Sequence, residues 1–380
     1  MNKKKIKESK ERTPKLSQER EMAEKVKKGK AEETKPEKKR RRKWKTILLS
    51  VVCVFLTLIL LGVIFVAIVL DRMLGKVDRV TGTEETLSSS ELHELLNPTV
   101  TRPPEYTGPA WNSDEITMPT EPAEIIDTNN KINILLIGQD RRGKSGRSLS
   151  DAMILCTINK ETKTLTMTSF LRDTYVQIPG HSQNKLNIAY PVGGMELLDA
   201  TLELNFGVVV DGNVEVDFTQ FATIIDLFGG VDINLTSAEA SHLNNNPYGW
   251  WLKEGVNHLD GKQALAYSRI RYIGTDFGRT NRQRIVLTAL LEQFRNASVD
   301  QLISAISGVL DLVTTDMTDQ EIIGYAIELA PLLKDLKIVS QSIPVKDTYY
   351  FGDVSDRNIV DCIFIDFEAN RKVLKDTIGD

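Results

Sequence analysis

The sequence is poor in cysteine and histidine, with three of the former and four of the latter among 380 residues. Cys53, Cys156 and Cys362 form none of the close pairs that a zinc site or a CxxC redox centre requires, so neither is expected. Cys53 and Cys156 lie in apolar runs where ordinary packing is expected, and a Cys156–Cys362 bridge stays open. The histidines form no catalytic pattern, and His181 is expected at the surface.

Charge is absent from residues 46–70, which are 25 residues rich in Leu, Val and Ile. A helix of that length exceeds the hydrocarbon thickness of a bilayer, about 30 Å, at about 1.5 Å per residue. The run is too long for a signal peptide and ends without a small-residue cleavage site, which favours a retained transmembrane helix. The basic residues 38–45 precede it directly, so we expect a cytoplasmic amino terminus and an extracellular carboxyl-terminal part.

The net charge of −4 conceals a strong asymmetry, because residues 1–45 carry +12 and the remainder carries −16. The basic part has a single aromatic residue and is expected to be a disordered cytoplasmic tail. Its basic run could contact nucleic acid, but its position beside the span favours membrane topology and anionic lipid, so no nucleic-acid partner is expected. Residues 71–130 contain scattered prolines and little periodicity, which predicts an extracellular stem.

Residues 131–380 alternate short apolar runs with helix-like segments, which predicts an α/β domain whose helices cover a sheet. The C-terminal segment from Asp356 is expected to close the domain as a helix. Strands are predicted at 132–138, 152–158, 164–170, 208–216, 230–235 and 336–343, and helices at 195–205, 218–228, 262–267, 280–295, 300–313 and 319–333.

Charged residues interrupt this pattern at four strand ends or loops. In the first, Asp140 follows one strand and Asp151 precedes the next, so a hairpin-like return would bring two carboxylates together for a hard divalent cation. A solvated loop is the alternative. The letters from Gly138 to Ser145 also match a phosphate-binding P-loop, but a strand follows them where such a loop opens into a helix, so a nucleotide site is not expected.

The second and third interruptions place Arg172 at a strand end and Lys185 in a polar segment. In the fourth, Arg269 and Arg271 alternate, so an extended backbone would point both side chains the same way.

Beyond that loop, Arg279, Arg282 and Gln283 recur at helix spacing and are expected to lie on one helix face. A solvated basic helix would also explain this cluster. However, the surrounding body is acidic, and the planar guanidinium suits bidentate binding of phosphate.

The motifs in this order resemble the LytR-CpsA-Psr family of Gram-positive bacteria over residues 131–295. The resemblance implies an α/β/α sandwich around a mixed central sheet, with an apolar pocket for a lipid tail. It also implies an extracytoplasmic ligase that transfers an anionic glycopolymer from a polyprenyl diphosphate carrier to peptidoglycan. The motifs are Gly138–Asp140, Gly146–Ser148, Ser150–Met153, Leu171–Thr174, Lys185–Tyr190, Phe228–Asp232, Tyr267–Tyr272 and Asp276–Gln283.

By this resemblance, Asp140 and Asp151 would bind Mg²⁺, and Arg172, Asp151 and Arg271 would be catalytic. Two positions depart from the family pattern. Proline is frequent at the position of Leu171, and arginine at the position of Leu149, for which Arg147 is expected to substitute. The residues implied around the diphosphate are Arg147, Arg172, Lys185, Arg269, Arg271, Arg279, Arg282 and Gln283.

The implied chemistry is attack by a sugar hydroxyl on the phosphorus next to the glycopolymer, which releases polyprenyl phosphate. Two other classes stay open: a hydrolase that cleaves the diphosphate with water, and a non-catalytic membrane-anchored regulator of the cell envelope. The motifs are expected to bind the lipid diphosphate end of the substrate, so they do not distinguish teichoic acid from capsule polysaccharide.

Overall fold

The computed structural model describes residues 22, 24–25, 78–79, 88–96, 110–141, 146–245, 247–271, 273, 276–295 and 308–379. The chain divides into two compact units, Met1–Arg72 and Met73–Asp380. Nearly all of the predicted tail and the whole predicted span, 46–70, lie outside the described residues. No helix among the described residues has the length and apolar character needed to cross a bilayer.

The second unit alternates strands and helices, as predicted, and most predicted elements agree with the observed ones to within a few residues. The helices are α1 Ser89–Leu96, α2 Ala189–Phe206, α3 Phe218–Leu227, α4 Ser237–Asn244, α5 Gly261–Ser268, α6 Asp276–Arg295, α7 Asp319–Leu329 and α8 Phe367–Leu374. The strands are β1 Asp78–Arg79, β2 Ala110–Trp111, β3 Lys131–Gln139, β4 Ser150–Asn159, β5 Thr164–Phe170, β6 Tyr175–Val176, β7 Asn184–Lys185, β8 Gly212–Asp217, β9 Val231–Leu235, β10 Gly255–Leu259, β11 Thr314–Thr315, β12 Lys337–Ile343, β13 Tyr349–Val354 and β14 Ile359–Ile365.

The central sheet has seven strands in the order β1-β11-β8-β3-β4-β5-β12. It is mixed, because β3 pairs with β8 in parallel and with β4 in antiparallel orientation. The α/β class and the mixed sheet are therefore confirmed. β9 and β10 form a separate two-stranded antiparallel sheet, and β13 pairs with β14 and β2 in a third sheet.

Alternate residues of the central strands face two different helix layers, as the period of two requires. Leu135 and Leu155 pack into a core with α2 and α8, whereas Ile154 packs on the opposite face against Leu287 and Leu291 of α6. The central sheet thus lies between helices on both faces.

Three helices on the second face begin with a capping box that is legible in the sequence. Asp217, Thr236 and Asp260 cap α3, α4 and α5, and each accepts a hydrogen bond from the backbone three residues on. The residue at that third position, Gln or Glu, bonds back to the cap, so each helix start is fixed by local chemistry.

Part of the predicted stem belongs to the folded unit. Trp111 packs beside the apolar cluster of β13 and β14, and Ala123 and Ile126 are buried, with the backbone N–H of Ala123 donating to the carbonyl of Leu204. Scattered apolar residues bury this segment without a regular period, which is why periodicity did not detect it.

The C-terminal segment also differs from the prediction of a closing helix. β14 precedes α8, because residues 359–365 form an apolar strand that pairs with β13. The predicted helix at 300–313 lies largely outside the described residues. Cys156 and Cys362 are free, so the possible bridge between them is absent.

Truncating Ile126 tests whether the supposed stem stabilises the domain. Ile126 is 4% exposed in the main core, whereas its neighbour Ile125 is 51% exposed. We expect Ile126→Ala to lower the free energy of unfolding by about 2–5 kcal/mol, because a buried side chain is lost and a cavity remains. Urea unfolding of both variants measures this. An equal, small effect of Ile125→Ala and Ile126→Ala would contradict the assignment.

Candidate functional site

The two predicted metal-binding carboxylates lie on the hairpin formed by β3 and β4. The pairing of these strands shifts register beside Gly138 and Gln139, which leaves Asp151 in a β-bulge. Bulges occur next to active sites, where they turn a side chain to a new direction. Asp140 directly follows β3, and both carboxylate residues line the same cavity. The expected hairpin return is therefore present.

Two further motifs are joined through their backbones. The carbonyl of Arg172 accepts a hydrogen bond from the N–H of Asn187 at 3.1 Å, and the carbonyl of Thr174 accepts one from Leu186 at 2.8 Å. The residues after β5 are thus fixed against the residues after β7, which brings Arg172 and Lys185 to one region.

Their side chains form a continuous series of ion pairs with two carboxylates. Arg172 donates to Asp151 at 2.5 Å and to Asp173 at 3.1 Å, and Lys185 donates to Asp173 at 3.0 Å. Burial by itself would lower the pKa of Arg172, but Asp173 and Asp151 outweigh it and raise that pKa. Asp173 is also buried, yet Lys185 and Arg172 hold its pKa below the ordinary value.

A cavity of about 470 Å³ lies between the sheet and helices α3, α5 and α6. Its walls are largely aliphatic and aromatic, and most of its charged residues come from the predicted site. The apolar lining includes Leu136, Ile137, Ile154, Val214, Val216, Phe218, Phe221, Ile224, Ile225, Leu265, Leu287, Leu290, Val309 and Val313. The polar lining comprises Asp140, Asp151, Asp217, His242, Ser268, Arg269, Arg271, Arg279 and Gln283.

Arg269 and Arg271 both line the cavity, although not for the predicted reason. Arg269 caps α5 with helical dihedral angles, φ −103° and ψ 0°, and is not extended. Its guanidinium lies 4.3 Å from the centre of the Phe218 ring, a cation–π contact that directs the side chain over the apolar wall.

Of the three residues predicted to share one face of α6, two line the cavity. Arg279 and Gln283 are four positions apart and line the cavity, but Arg282 does not. Arg282 is buried, donates to Glu239 at 2.7 Å and contacts two carbonyls of the loop that carries Arg271. The resemblance implies that Arg282 lies close to the diphosphate, but its side chain does not line the cavity, because Glu239 directs it to α4.

Arg279 is a buried cation with few partners. It is 3% exposed, and its Nε and Nη1 atoms have no hydrogen-bond partner among the described residues, although Nη1 lies 3.5 Å from the Asp276 carboxylate. Burial and then the neighbouring Arg172 lower its pKa. Gln283 also has a buried Oε1 with no partner in the described part of the chain. Two residues that line the cavity therefore carry buried polar atoms that the described part of the chain does not satisfy.

Arg147 and Arg284 lie elsewhere. A side chain at Gly194, where φ is +68°, would collide with the guanidinium of Arg147, so this arginine packs on the kink of α2 and does not line the cavity. Arg284 donates to Ser169 and Ser342 at the ends of β5 and β12, and burial lowers its pKa to about 10. Arg284 ties α6 to the sheet.

Sequence reasoning missed a buried carboxylate that supports the site from behind. Glu215 is 1% exposed on the α2 face of β8 and accepts hydrogen bonds from Gln139, Arg141 and Tyr190. Gln139 in turn accepts from the backbone N–H of Ser148 at 2.7 Å, which fixes the end of the loop that carries Asp140. A charge inside an otherwise apolar strand was the available signal.

Asp217 and His242 were also missed, although both line the cavity. Asp217 is the last residue of β8, so a carboxylate at a strand end, the signal that identified Asp140, was available for it too. His242 stands outside every motif, and nothing in the sequence connects it with the cavity.

This geometry can be compared with known proteins. The LytR_cpsA_psr family model matches residues 107–361. The chain belongs to the LytR-CpsA-Psr family. The match includes the end of the supposed stem and runs beyond the motif core, in agreement with the folded unit.

Two curated relatives carry different functional names. The regulatory protein MsrR of Staphylococcus aureus is 30% identical over 259 residues, which are 67% of this chain and 76% of that protein. The polyisoprenyl-teichoic acid–peptidoglycan teichoic acid transferase TagT of Bacillus subtilis is 34% identical over 213 residues, 54% of this chain and 65% of TagT.

Solved structures of TagT have a similar fold. TagT bound to LIIa-WTA has a TM-score of 0.55 at 28% identity, covering 68% of this chain and 97% of that one. TagT with bound octaprenyl pyrophosphate lipid has a TM-score of 0.51 at 26% identity over the same shares.

The different environments of Arg279 and Arg282 predict opposite stability effects. Arg282→Met leaves the buried Glu239 without its partner, so we expect a loss of about 3–5 kcal/mol in the free energy of unfolding. Arg279→Met removes a cation from an apolar and basic environment and should leave stability unchanged or raise it. Chemical denaturation of the two variants measures the difference, and an equal loss in both would show that Arg279 is a structural residue.

Proposed function

We propose that this chain transfers an anionic glycopolymer from a polyprenyl diphosphate carrier to peptidoglycan and releases polyprenyl phosphate. The observation that carries the proposal is a single cavity with an apolar wall and a charged lining of three carboxylates and three arginines. A lipid diphosphate has the same division between an apolar tail and an anionic group.

The diphosphate would lie beside Arg271, Arg279 and Arg269. Arginine donors suit phosphate oxygens because the planar guanidinium can bind them bidentately. Oxygen atoms of the ligand would also accept from the buried Nε and Nη1 of Arg279, which lack hydrogen-bond partners among the described residues. Arg172 lies next to this group, since it shares Asp151 with the cavity lining.

Asp140 and Asp151 fit a Mg²⁺ ion that is bound jointly with the substrate. No group of three carboxylate, histidine or cysteine side chains among the described residues could hold a metal alone. Two carboxylates suffice in such a site, because Mg²⁺ commonly uses one or two of them together with substrate phosphates and water. When bound, Mg²⁺ would polarise the diphosphate oxygens and neutralise developing charge.

In the proposed reaction, a peptidoglycan hydroxyl oxygen attacks the phosphorus next to the glycopolymer. The new phosphorus–oxygen bond joins the polymer to peptidoglycan, and the bond to the bridging oxygen breaks. The leaving group is polyprenyl phosphate, whose charge Arg172, Arg271 and Arg279 would stabilise. A cavity carboxylate, Asp140 or Asp151, would accept the hydroxyl proton.

The comparisons support the substrate class. TagT is named as a teichoic acid transferase that acts on a polyisoprenyl carrier, and one of its structures carries octaprenyl pyrophosphate. We extend this class, not a particular polymer, to the present chain. The predicted span at 46–70 would hold the catalytic unit on the outer surface of the cell membrane.

Asp151→Asn and Arg172→Ala test the transfer. With a polyprenyl-diphosphate oligosaccharide, Mg²⁺ and peptidoglycan fragments, we expect acceptor-linked product from the full chain. Each substitution should lower the rate by about 10²–10³-fold, because each removes a preorganised charge from the reacting phosphate. Glu196→Gln, an exposed change on α2, is the control and should retain the rate.

Three results would contradict the proposal. Wild-type rates in folded Asp151→Asn and Arg172→Ala would exclude the mechanism. Release of phosphorylated sugar without an acceptor would indicate a hydrolase. Lipid binding without turnover would indicate a regulator, which is the function that the name of MsrR carries.

A further inference from the structure

An unusually exposed group of apolar side chains follows α4. Trp251 is 92% exposed and Tyr248 is 69% exposed, and Val256 on the adjoining β10 is 73% exposed. Large exposed apolar residues that are close together commonly mark an interaction surface. We call residues 247–252 the aromatic loop.

The aromatic loop is held in place by its own side-chain bonds. Asn244 donates to the carbonyl of Leu252 at 2.7 Å and accepts from its N–H at 2.8 Å, which closes the loop at its base. Asn257 makes three similar bonds to the backbone of Lys253 and Gly255. The exposed rings therefore project from an ordered support.

This support is continuous with the wall of the cavity. His242 on α4 lines the cavity, and Leu243 beside it is buried in the core with β9. At the other end, Trp250 packs against that core and stacks on Tyr248 with ring centres 5.5 Å apart.

We propose that the aromatic loop, together with Val256, inserts into the interface of a lipid bilayer beside the cavity. Tryptophan and tyrosine suit this region because one end of each side chain is apolar and the other can bind water. The inference rests on the proposed function only in assigning a lipid to the cavity. A lipid carrier must leave the bilayer to enter it, and a bilayer contact next to the cavity shortens that path.

The surrounding groups favour a bilayer over a sugar. A sugar site needs polar side chains for the hydroxyl groups, and two of the described polar side chains here, those of Asn244 and Asn257, are already bonded to the loop backbone. The exposed neighbours Lys253 and Glu254 have opposite charges, so the contact should depend on apolar insertion and not on anionic headgroups.

If the predicted span is present, a short segment of chain tethers the folded unit to a membrane. Only residues 71–77 separate that span from β1, whose backbone pairs with β11. An extended chain covers at most about 3.6 Å per residue, so this linker reaches roughly 28 Å. A tether of that length raises the effective concentration of the loop at the bilayer.

Fluorescence quenching by lipids brominated in the acyl chains tests the insertion without any substrate. The full chain is reconstituted in vesicles, and wild type is compared with Trp251→Phe. We expect the emission removed by this substitution to be quenched by brominated lipid, equally in zwitterionic and anionic vesicles. Trp111→Phe is the matched control, because Trp111 packs on Tyr350 and Phe364, and its removal should leave the quenched component unchanged.

Several outcomes would overturn the inference. In the first, flotation shows the chain on the vesicles, yet the Trp251→Phe variant is quenched as strongly as wild type. In the second, quenching occurs only in anionic vesicles. Shielding of Trp251 by peptidoglycan fragments without lipid would assign the loop to sugar, and shielding that depends on protein concentration would assign it to a second copy. Because no turnover is measured, failure here is distinct from failure of the proposed transfer.

Discussion

Mutual repulsion among arginines is the constraint on which the rest of the site depends. Burial, and after it the charges of Arg172 and Arg271, lower the pKa of Arg279, so these positive charges interact within a poorly solvated region. Asp151, Asp173 and Asp276 offset part of this repulsion through ion pairs. Under the proposed function, the buried donors of Arg279 that lack partners in the described residues would pair with an anionic ligand.

The central sheet separates the buried ionic contacts that hold the charged loop from the apolar cavity. On the cavity face, Val214 and Val216 line the apolar wall. Glu215, between them in sequence, points to the other face and binds the side chains of Gln139, Arg141 and Tyr190. The strand period of two therefore lets one strand supply both an apolar wall and a buried ionic support. The charged loop is thus positioned without placing the carboxylate of Glu215 in the apolar cavity.

The sequence predicted the elements whose signals are local. Apolar runs identified β3, β4 and β5, and the hairpin inference brought Asp140 and Asp151 to one cavity. Membership of the family, inferred from ordered motifs, is confirmed. Local spacing failed for Arg282, because the direction of its side chain depends on Glu239, which is distant in sequence.

Other features were beyond local patterns for related reasons. The bulge at Asp151 depends on the register of two strands. The alternation of side chains along a single strand does not show that one residue is left without a pairing partner. Ile126 is buried by contacts with distant core residues, although its own segment lacks periodicity. The aromatic loop could be recognised only from the exposed fractions of its side chains in the folded structure, since paired tryptophans in a sequence are compatible with a core, a sugar site or a lipid contact.

The most direct test of the central claim is the thermal stabilisation of the full chain by a short prenyl diphosphate, compared with the prenyl alcohol and with inorganic diphosphate. If the arginines bind an anionic group attached to an apolar tail, the prenyl diphosphate should raise the melting temperature much more than the prenyl alcohol or inorganic diphosphate does. Ligand binding to the folded state produces such a shift. Equal stabilisation by the uncharged alcohol would contradict the account, because the charged lining would then contribute nothing to binding.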